Sequence, residues 1–284
     1  MIDGGTVSLA AQSFGEQGDP AVILVMGATA SMLWWPDEIC RRIADVGLFV
    51  IRFDHRDTGA SGSVPLGTVD YGIEDMADDV LQVLDGLGTD AAHLVGMSLG
   101  GLIGQLLAQR DPARILTLTL IAAEPLGGEA IDVPPITPAF MAHFVKMSGL
   151  DWTDRAAVTD FLFEIARLSA APERGPDEAL VRRRIAAELD RAGDVSPAFN
   201  HASVGGDLDR WDLRSITQPT LVIHGAHDPI VAPSNGTAIA RQVPGARTLM
   251  LLDAGHELHG ADLALIADAV IAHIRSASQA MPSG

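Results

Sequence analysis

The sequence predicts an α/β fold: a mostly parallel central sheet flanked on both faces by helices, with a helical insertion set into its second half. Three observations predict it. Short β-rich runs alternate with helical patterns along most of the chain. Several of those runs are mostly apolar, and Ala21–Met26 entirely so, as strands covered on both faces are. The alternation stops between about Pro125 and Gly206 and resumes after it.

The strands are expected at Thr6–Phe14, Ala21–Met26, Phe49–Asp54, Ala92–Val95, Ile115–Ile121, Thr220–His224 and Arg247–Leu252. The helices between them are expected near Asp37–Val46, Ile73–Leu87, Gly100–Gln109, Ser234–Gln242 and Ala261–Ile274. In the second of these, Ile73, Met76, Ala77, Val80, Leu81 and Leu84 recur at three- and four-residue spacing, which marks one buried face. The interrupted region opens with Pro134-Pro135 and Pro138, holds no convincing strand, and shows helical patterns at Val158–Leu168 and Asp177–Arg191. The expected organisation is a core of residues 1–124 and 207–284 with a helical cap, residues 125–206, over the C-terminal edge of the sheet, where open α/β sheets bind ligands. A polar tail, Ser276–Gly284, closes the chain.

A chain of 284 residues can bury a substantial core. Hydrophobic residues make up 48% of it, yet no apolar run approaches the roughly 20 residues of a membrane span. Met1-Ile2-Asp3-Gly4-Gly5 shows no basic region leading into an apolar stretch, so no signal peptide is expected. The single Cys40 excludes an intramolecular disulfide, fits a reducing cytoplasm, and falls within an amphipathic helical pattern as a packing residue. A net charge of −18 argues against nucleic-acid partners, whose binding depends on Lys and Arg neutralising phosphates. The expectation is a cytoplasmic monomer or homodimer with a small-molecule ligand and no membrane or nucleic-acid partner.

Gly96-Met97-Ser98-Leu99-Gly100 carries the chemistry. It joins the apolar run ending at Val95 to a glycine-packed helix, and a serine between two glycines at such a junction suggests a nucleophile elbow. A serine nucleophile needs a base, and the base needs an orienting acid. The run Thr220–His224 leads into Gly225-Ala226-His227-Asp228, and the next run leads into Asp253-Ala254-Gly255-His256. Ser98, Asp228 and His256 therefore stand in the order serine, acid, histidine, each just beyond a strand. Alone, Asp228 also fits a turn opened by Asp-Pro. Asp253 is a rival acid but lies close in sequence to His256, and His259 is the nearest rival histidine.

An oxyanion hole in this architecture uses the N–H after the nucleophile, that of Leu99, and one from the loop after an early strand, that of Ala28. His256-Glu257-Leu258-His259 resembles a helical zinc motif but is one residue short of the i, i+4 spacing that motif needs. No metal and no organic cofactor is expected. Trp35, Phe140, Phe144 and Trp152 are candidate pocket residues, with Trp34, Met141, Met147, Phe161 and Phe163 in the same class. The glycines Gly96, Gly100, Gly101 and Gly104 do not match the dinucleotide-binding Gly-x-Gly-x-x-Gly pattern.

With these residues in view, the chain resembles the α/β-hydrolase superfamily over nearly its whole length. Val25-Met26-Gly27-Ala28, Trp35-Pro36-Asp37-Glu38 and Phe53-Asp54-His55-Arg56-Asp57-Thr58-Gly59-Ala60-Ser61 look like the aclacinomycin methylesterase group, which has Met-Gly where many relatives have His-Gly. The resemblance implies Ser98 as nucleophile, Asp228 and His256 as its partners, Ala28 and Leu99 as oxyanion donors, and hydrolysis of a methyl ester on a polycyclic aromatic polyketide. Asp54 and Arg56 are expected to brace loops beneath the site. The same triad also serves lactones, amides, C–C bonds beside a carbonyl, or perhydrolysis. A non-catalytic ligand-binding protein is the reading from another class, and retention of all three triad residue types counts against it.

Overall fold

Ala21-Val22-Ile23-Leu24-Val25 forms a strand, β2, in which every residue is buried. Its side chains alternate between two apolar layers. Ile23 and Val25 pack on one face of the sheet with Ile73, Met76 and Leu106, and Val22 and Leu24 pack on the other with Ile39, Ile43 and Ile266. A strand sandwiched in this way has no polar face, so its sequence is apolar without interruption. The structure, a computed structural model, describes residues 1–3, 5–127 and 134–280. Residues 128–133 of the expected cap and 281–284 of the expected tail lie outside the described residues.

Among the described residues one sheet runs through the protein in the order β1-β3-β2-β4-β5-β6-β7. Here β1 is Ala11–Phe14, β3 Phe49–Phe53, β4 Ala92–Met97, β5 Ile115–Ile121, β6 Thr220–Gly225 and β7 Arg247–Leu251. β1 pairs antiparallel with β3, and every other pairing is parallel. The register matches Met97 with Ile121, Ile121 with Ile223, and Gly225 with Leu251, so the C-terminal ends of β4, β6 and β7 lie along one edge. The first strand is shorter than the sequence suggests. Its expected N-terminal part turns back instead, Leu9 exchanging backbone hydrogen bonds of 2.7 and 2.9 Å with Ile2.

Helices α2 (Ile73–Gly86), α3 (Leu99–Arg110) and α7 (Pro233–Gln242) cover one face; α1 (Asp37–Ala44) and α8 (Leu263–Ala280) cover the other. Cys40 is fully buried in the second layer, as a packing residue should be. α8 continues through Ser276–Ala280, the first part of the expected tail. Between β5 and β6 the insertion carries α4 (Pro138–Phe144), α5 (Arg155–Ser169) and α6 (Glu178–Ala192), followed by a 3-10 stretch over Ser196–Ser203. Asp154 and Asp177 cap α5 and α6 by accepting backbone N–H bonds. α4 was not expected. Its Pro138 occupies the first helical position, where proline lacks nothing the helix would use. Among the described residues no helix is long and apolar enough to cross a membrane.

Candidate active site

Ser98 sits where β4 ends and α3 begins, with φ 51° and ψ −117°. A non-glycine residue held in that region costs about 1–3 kcal/mol and persists only where its surroundings enforce it. Here Ser98 N–H donates to Ile121 O at 2.9 Å, and Ser98 O accepts from Gly101 N–H at 2.8 Å. The flanking glycines are required by crowding. A Cβ on Gly96 would lie 2.2 Å from Gly100 O, and one on Gly100 would lie 2.1 Å from Val25 O. Only bare backbones allow helix and strand to approach this closely at the turn.

Asp228 and His256 follow β6 and β7. His256 Nδ1 donates to Asp228 Oδ2 at 2.8 Å, which fixes the ring's orientation and leaves Nε2 as the basic nitrogen. The other Asp228 oxygen accepts the N–H groups of Ile230 (2.9 Å) and Val231 (2.8 Å). Asp228 is buried, and burial pushes its carboxyl upward. The charge of His256, bonds from His224 and His256, and the Ile230 N–H outweigh that effect and hold it at about 2. His224 completes the support: its Nε2 donates to Val231 O at 2.9 Å and lies 3.4 Å from Asp228 Oδ2. The rival acid Asp253 is exposed. The rival histidine, His259, accepts the Ala261 N–H at 3.1 Å as a helix cap.

Ser98, His256 and Ala28 line one cavity of about 510 Å³. No direct hydrogen bond joins Ser98 Oγ to His256; such contacts commonly tighten only when substrate binds. The loop carrying Ala28 is held from below. Thr29 N–H donates to His201 Nδ1 at 3.1 Å, His201 Nε2 donates to Arg56 O at 2.9 Å, and His55 Nε2 donates to Met26 O at 2.8 Å. Burial lowers His201 to about 4 and His55 to about 3, so both rings stay neutral at pH 7. Leu99, on the other side of the expected oxyanion position, is the first residue of α3, whose opening N–H groups have no intrahelical partner.

Asp54 and Arg56 brace this region, as their motif suggests. Asp54 accepts from Met32 N–H, Ala60 N–H and Arg191 Nη1, each at 2.9 Å, and thereby ties α6 to the core. Arg56 forms a buried fork on Asp79 at 2.7 and 2.8 Å.

Of the four expected pocket residues, Phe140 and Phe144 line the cavity, stacked one helical turn apart on α4. Trp35 does not. It is fully buried against α1 and β2, and its neighbour Trp34 takes the cavity position. Trp152 also turns away, packing on Phe161 and Phe199 within the insertion at ring separations of 6.0 and 5.1 Å. Four contributors went unread in the sequence: Phe199, Arg184, Glu188, and the Ser169 carbonyl, which accepts the His256 N–H at 2.7 Å and stitches α5 to the histidine loop. Among the described residues no three His, Cys, Asp or Glu side chains gather as metal ligands would.

The alpha/beta hydrolase fold family matches residues 20–262. The chain is 34% identical to rhodomycin D methylesterase DauP of Streptomyces sp. (strain C5), over 98% of each protein. It matches rhodomycin D methylesterase DnrP of Streptomyces peucetius to the same extent. Among solved structures, a hydrolase from Pseudomonas aeruginosa PA01 is 29% identical, with a TM-score of 0.67 over 99% of this chain and 97% of that one. The strand order, the elbow and these likenesses agree: the chain belongs to the alpha/beta hydrolase fold family, alongside the rhodomycin D methylesterases.

Proposed function

We propose that this protein is a serine carboxylesterase that cleaves a methyl ester on a polycyclic aromatic polyketide. The observation that carries the reading is the 2.8 Å His256–Asp228 bond on the same cavity as a strained, strand-end Ser98. Ser98 Oγ passes its proton to His256 Nε2 and attacks the ester carbonyl. The oxyanion so formed takes N–H bonds from Ala28 and Leu99. Collapse breaks the bond to the alkoxy oxygen, which leaves as methanol with the proton from His256. Water then repeats the sequence on the acyl-enzyme, releasing the carboxylic acid and restoring Ser98. Asp228, ionised throughout the neutral range, keeps the His256 proton on Nδ1 and favours the imidazolium.

A largely apolar cavity within the usual range for small-molecule sites, walled by Phe140, Phe144, Phe199 and Trp34, supports an aromatic ring system as its occupant. The 34% identity to two rhodomycin D methylesterases supports the methyl ester. A panel of methyl esters of fused aromatics, short acyl esters and lactones tests the substrate class. Preferential release of methanol from the fused aromatics is expected. Turnover confined to lactones would overturn the assignment.

A further inference from the structure

Of the four arginines of α6, two are engaged by carboxylates, Arg182 donating to Glu178 at 2.8 Å and Arg191 to Asp54 at 2.9 Å, and Arg183 is exposed. Within the core, Arg52, Arg56 and Arg174 each pair with a carboxylate. Arg184 differs. It lines the active-site cavity, and among the described residues its guanidinium makes neither a hydrogen bond nor an ion pair. Its recorded contact is the Trp34 ring, 5.0 Å from the guanidinium carbon to the ring centre.

A cation–π contact with an indole does not satisfy the N–H donors of a guanidinium as oxygen acceptors would, and their planar fork suits a planar pair of oxygens. The carboxylates on the same cavity are occupied elsewhere. Asp177 accepts the Leu180 N–H at 3.0 Å, Glu188 accepts the Ser31 hydroxyl at 2.7 Å, and Glu257 faces Arg174 at 3.5 Å. Glu188 and Asp177 favour the Arg184 charge through space, but neither accepts a hydrogen bond from it, and a partly desolvated cation whose N–H groups lack acceptors is costly unless a ligand supplies them.

We propose that Arg184, held over Trp34, is a specificity-determining residue that receives an anionic oxygen group of the substrate, a ring carboxylate or an ionised hydroxyquinone, through its N–H donors. The proposal rests on reading this cavity as the site that holds the aromatic part of the ester. The bound anion sets the ring system against α6 while the ester faces Ser98. In a chain of net charge −18, this cation is a local exception that selects for acidic aromatic esters over neutral ones.

Binding without turnover tests it. Anthraquinone-2-carboxylate, alizarin and the neutral anthraquinone-2-carboxamide are titrated calorimetrically into the wild-type protein, Arg184→Met and Arg184→Lys. The wild type is expected to bind at least one anion about 10- to 100-fold more tightly than the carboxamide. The tighter arm identifies carboxylate or hydroxyquinone as the group recognised. Arg184→Met should erase the preference, and Arg184→Lys should retain part of it. Equal affinity for all three ligands in the wild type, or a preference that survives Arg184→Met, overturns the proposal; the wild-type comparison stands even where a variant fails to fold. Hydrolysis of p-nitrophenyl butyrate, measured alongside, bears on the esterase reading alone, so a failure of either is seen separately.

Discussion

Glu188→Gln isolates what a buried acid beside the cavity does to the stability of the fold. Burial pushes the Glu188 carboxyl up from its ordinary 4.5 to about 7; the Ser31 bond and Arg191 pull it down, and Asp54 adds to the rise. A group whose native pKa is raised favours the folded state fully below its unfolded value, and that contribution is lost as pH climbs through the native one. The wild type should therefore lose stability between about pH 4.5 and 7 on account of Glu188. At about 1.4 kcal/mol for each factor of ten, the loss amounts to roughly 3 kcal/mol above pH 7. Glutamine keeps the shape and still accepts the Ser31 hydroxyl, but it has no charge to desolvate. Urea unfolding of both proteins at a series of pH values isolates the residue, because other titrations cancel in the difference. Glu188→Gln should gain roughly 3 kcal/mol on the wild type between pH 4 and pH 8. A difference that is flat in pH, or that grows toward acid, would refute the reasoning.

Asp228→Asn should leave the fold intact and lower kcat by about 10⁴, because asparagine no longer holds the His256 proton on Nδ1; steady-state kinetics on a p-nitrophenyl ester checks it, and near wild-type activity contradicts it. Because Asp228 is held at about 2, its ionised form adds stability above the ordinary 3.8 that is lost as pH falls toward 2, and acid unfolding of Asp228→Asn should lack that segment. Gly100→Ala drives a Cβ to 2.1 Å from the Val25 carbonyl, so a loss of at least about 1–3 kcal/mol is expected in thermal melting. An unchanged melting temperature would show that the elbow is looser than described. Trp35→Ala should cost about 3–5 kcal/mol of stability, whereas Trp34→Ala should chiefly raise KM for aromatic esters; the reverse pattern would exchange their roles.

Strands were legible because parallel strands covered on both faces leave largely apolar runs, continuous in β2 and broken only by Thr117 and Thr119 in β5. The positions of Ser98, Asp228 and His256 were legible for a related reason: they lie one, three and five residues beyond strand ends, and the shared register turns that sequence position into one edge. The pocket was much less readable. Trp34 and Trp35 are chemically identical neighbours, and only the turn that places one toward the cavity and the other toward α1 separates them. Phe140, Phe144 and Trp152 all read as apolar positions of a helical insertion, and periodicity does not say whether a face meets substrate or another cap helix. Phe199 lies on a 3-10 stretch with no helical pattern to mark it. Arg184 and Glu188 look like ordinary polar positions of an amphipathic helix until α6 is seen to turn that face inward. Local backbone physics reads well from one chain; the inward face of a cap depends on packing between segments far apart in sequence.

The central claim is that Ser98 is an activated nucleophile in a relay with His256 and Asp228. Labelling with a fluorophosphonate, followed by intact mass and peptide mapping, tests it most directly. One adduct per chain on the peptide carrying Ser98, absent in Ser98→Ala and strongly slowed in His256→Ala, is the predicted result. An adduct elsewhere, or a His256→Ala protein that labels at the wild-type rate, would contradict the account.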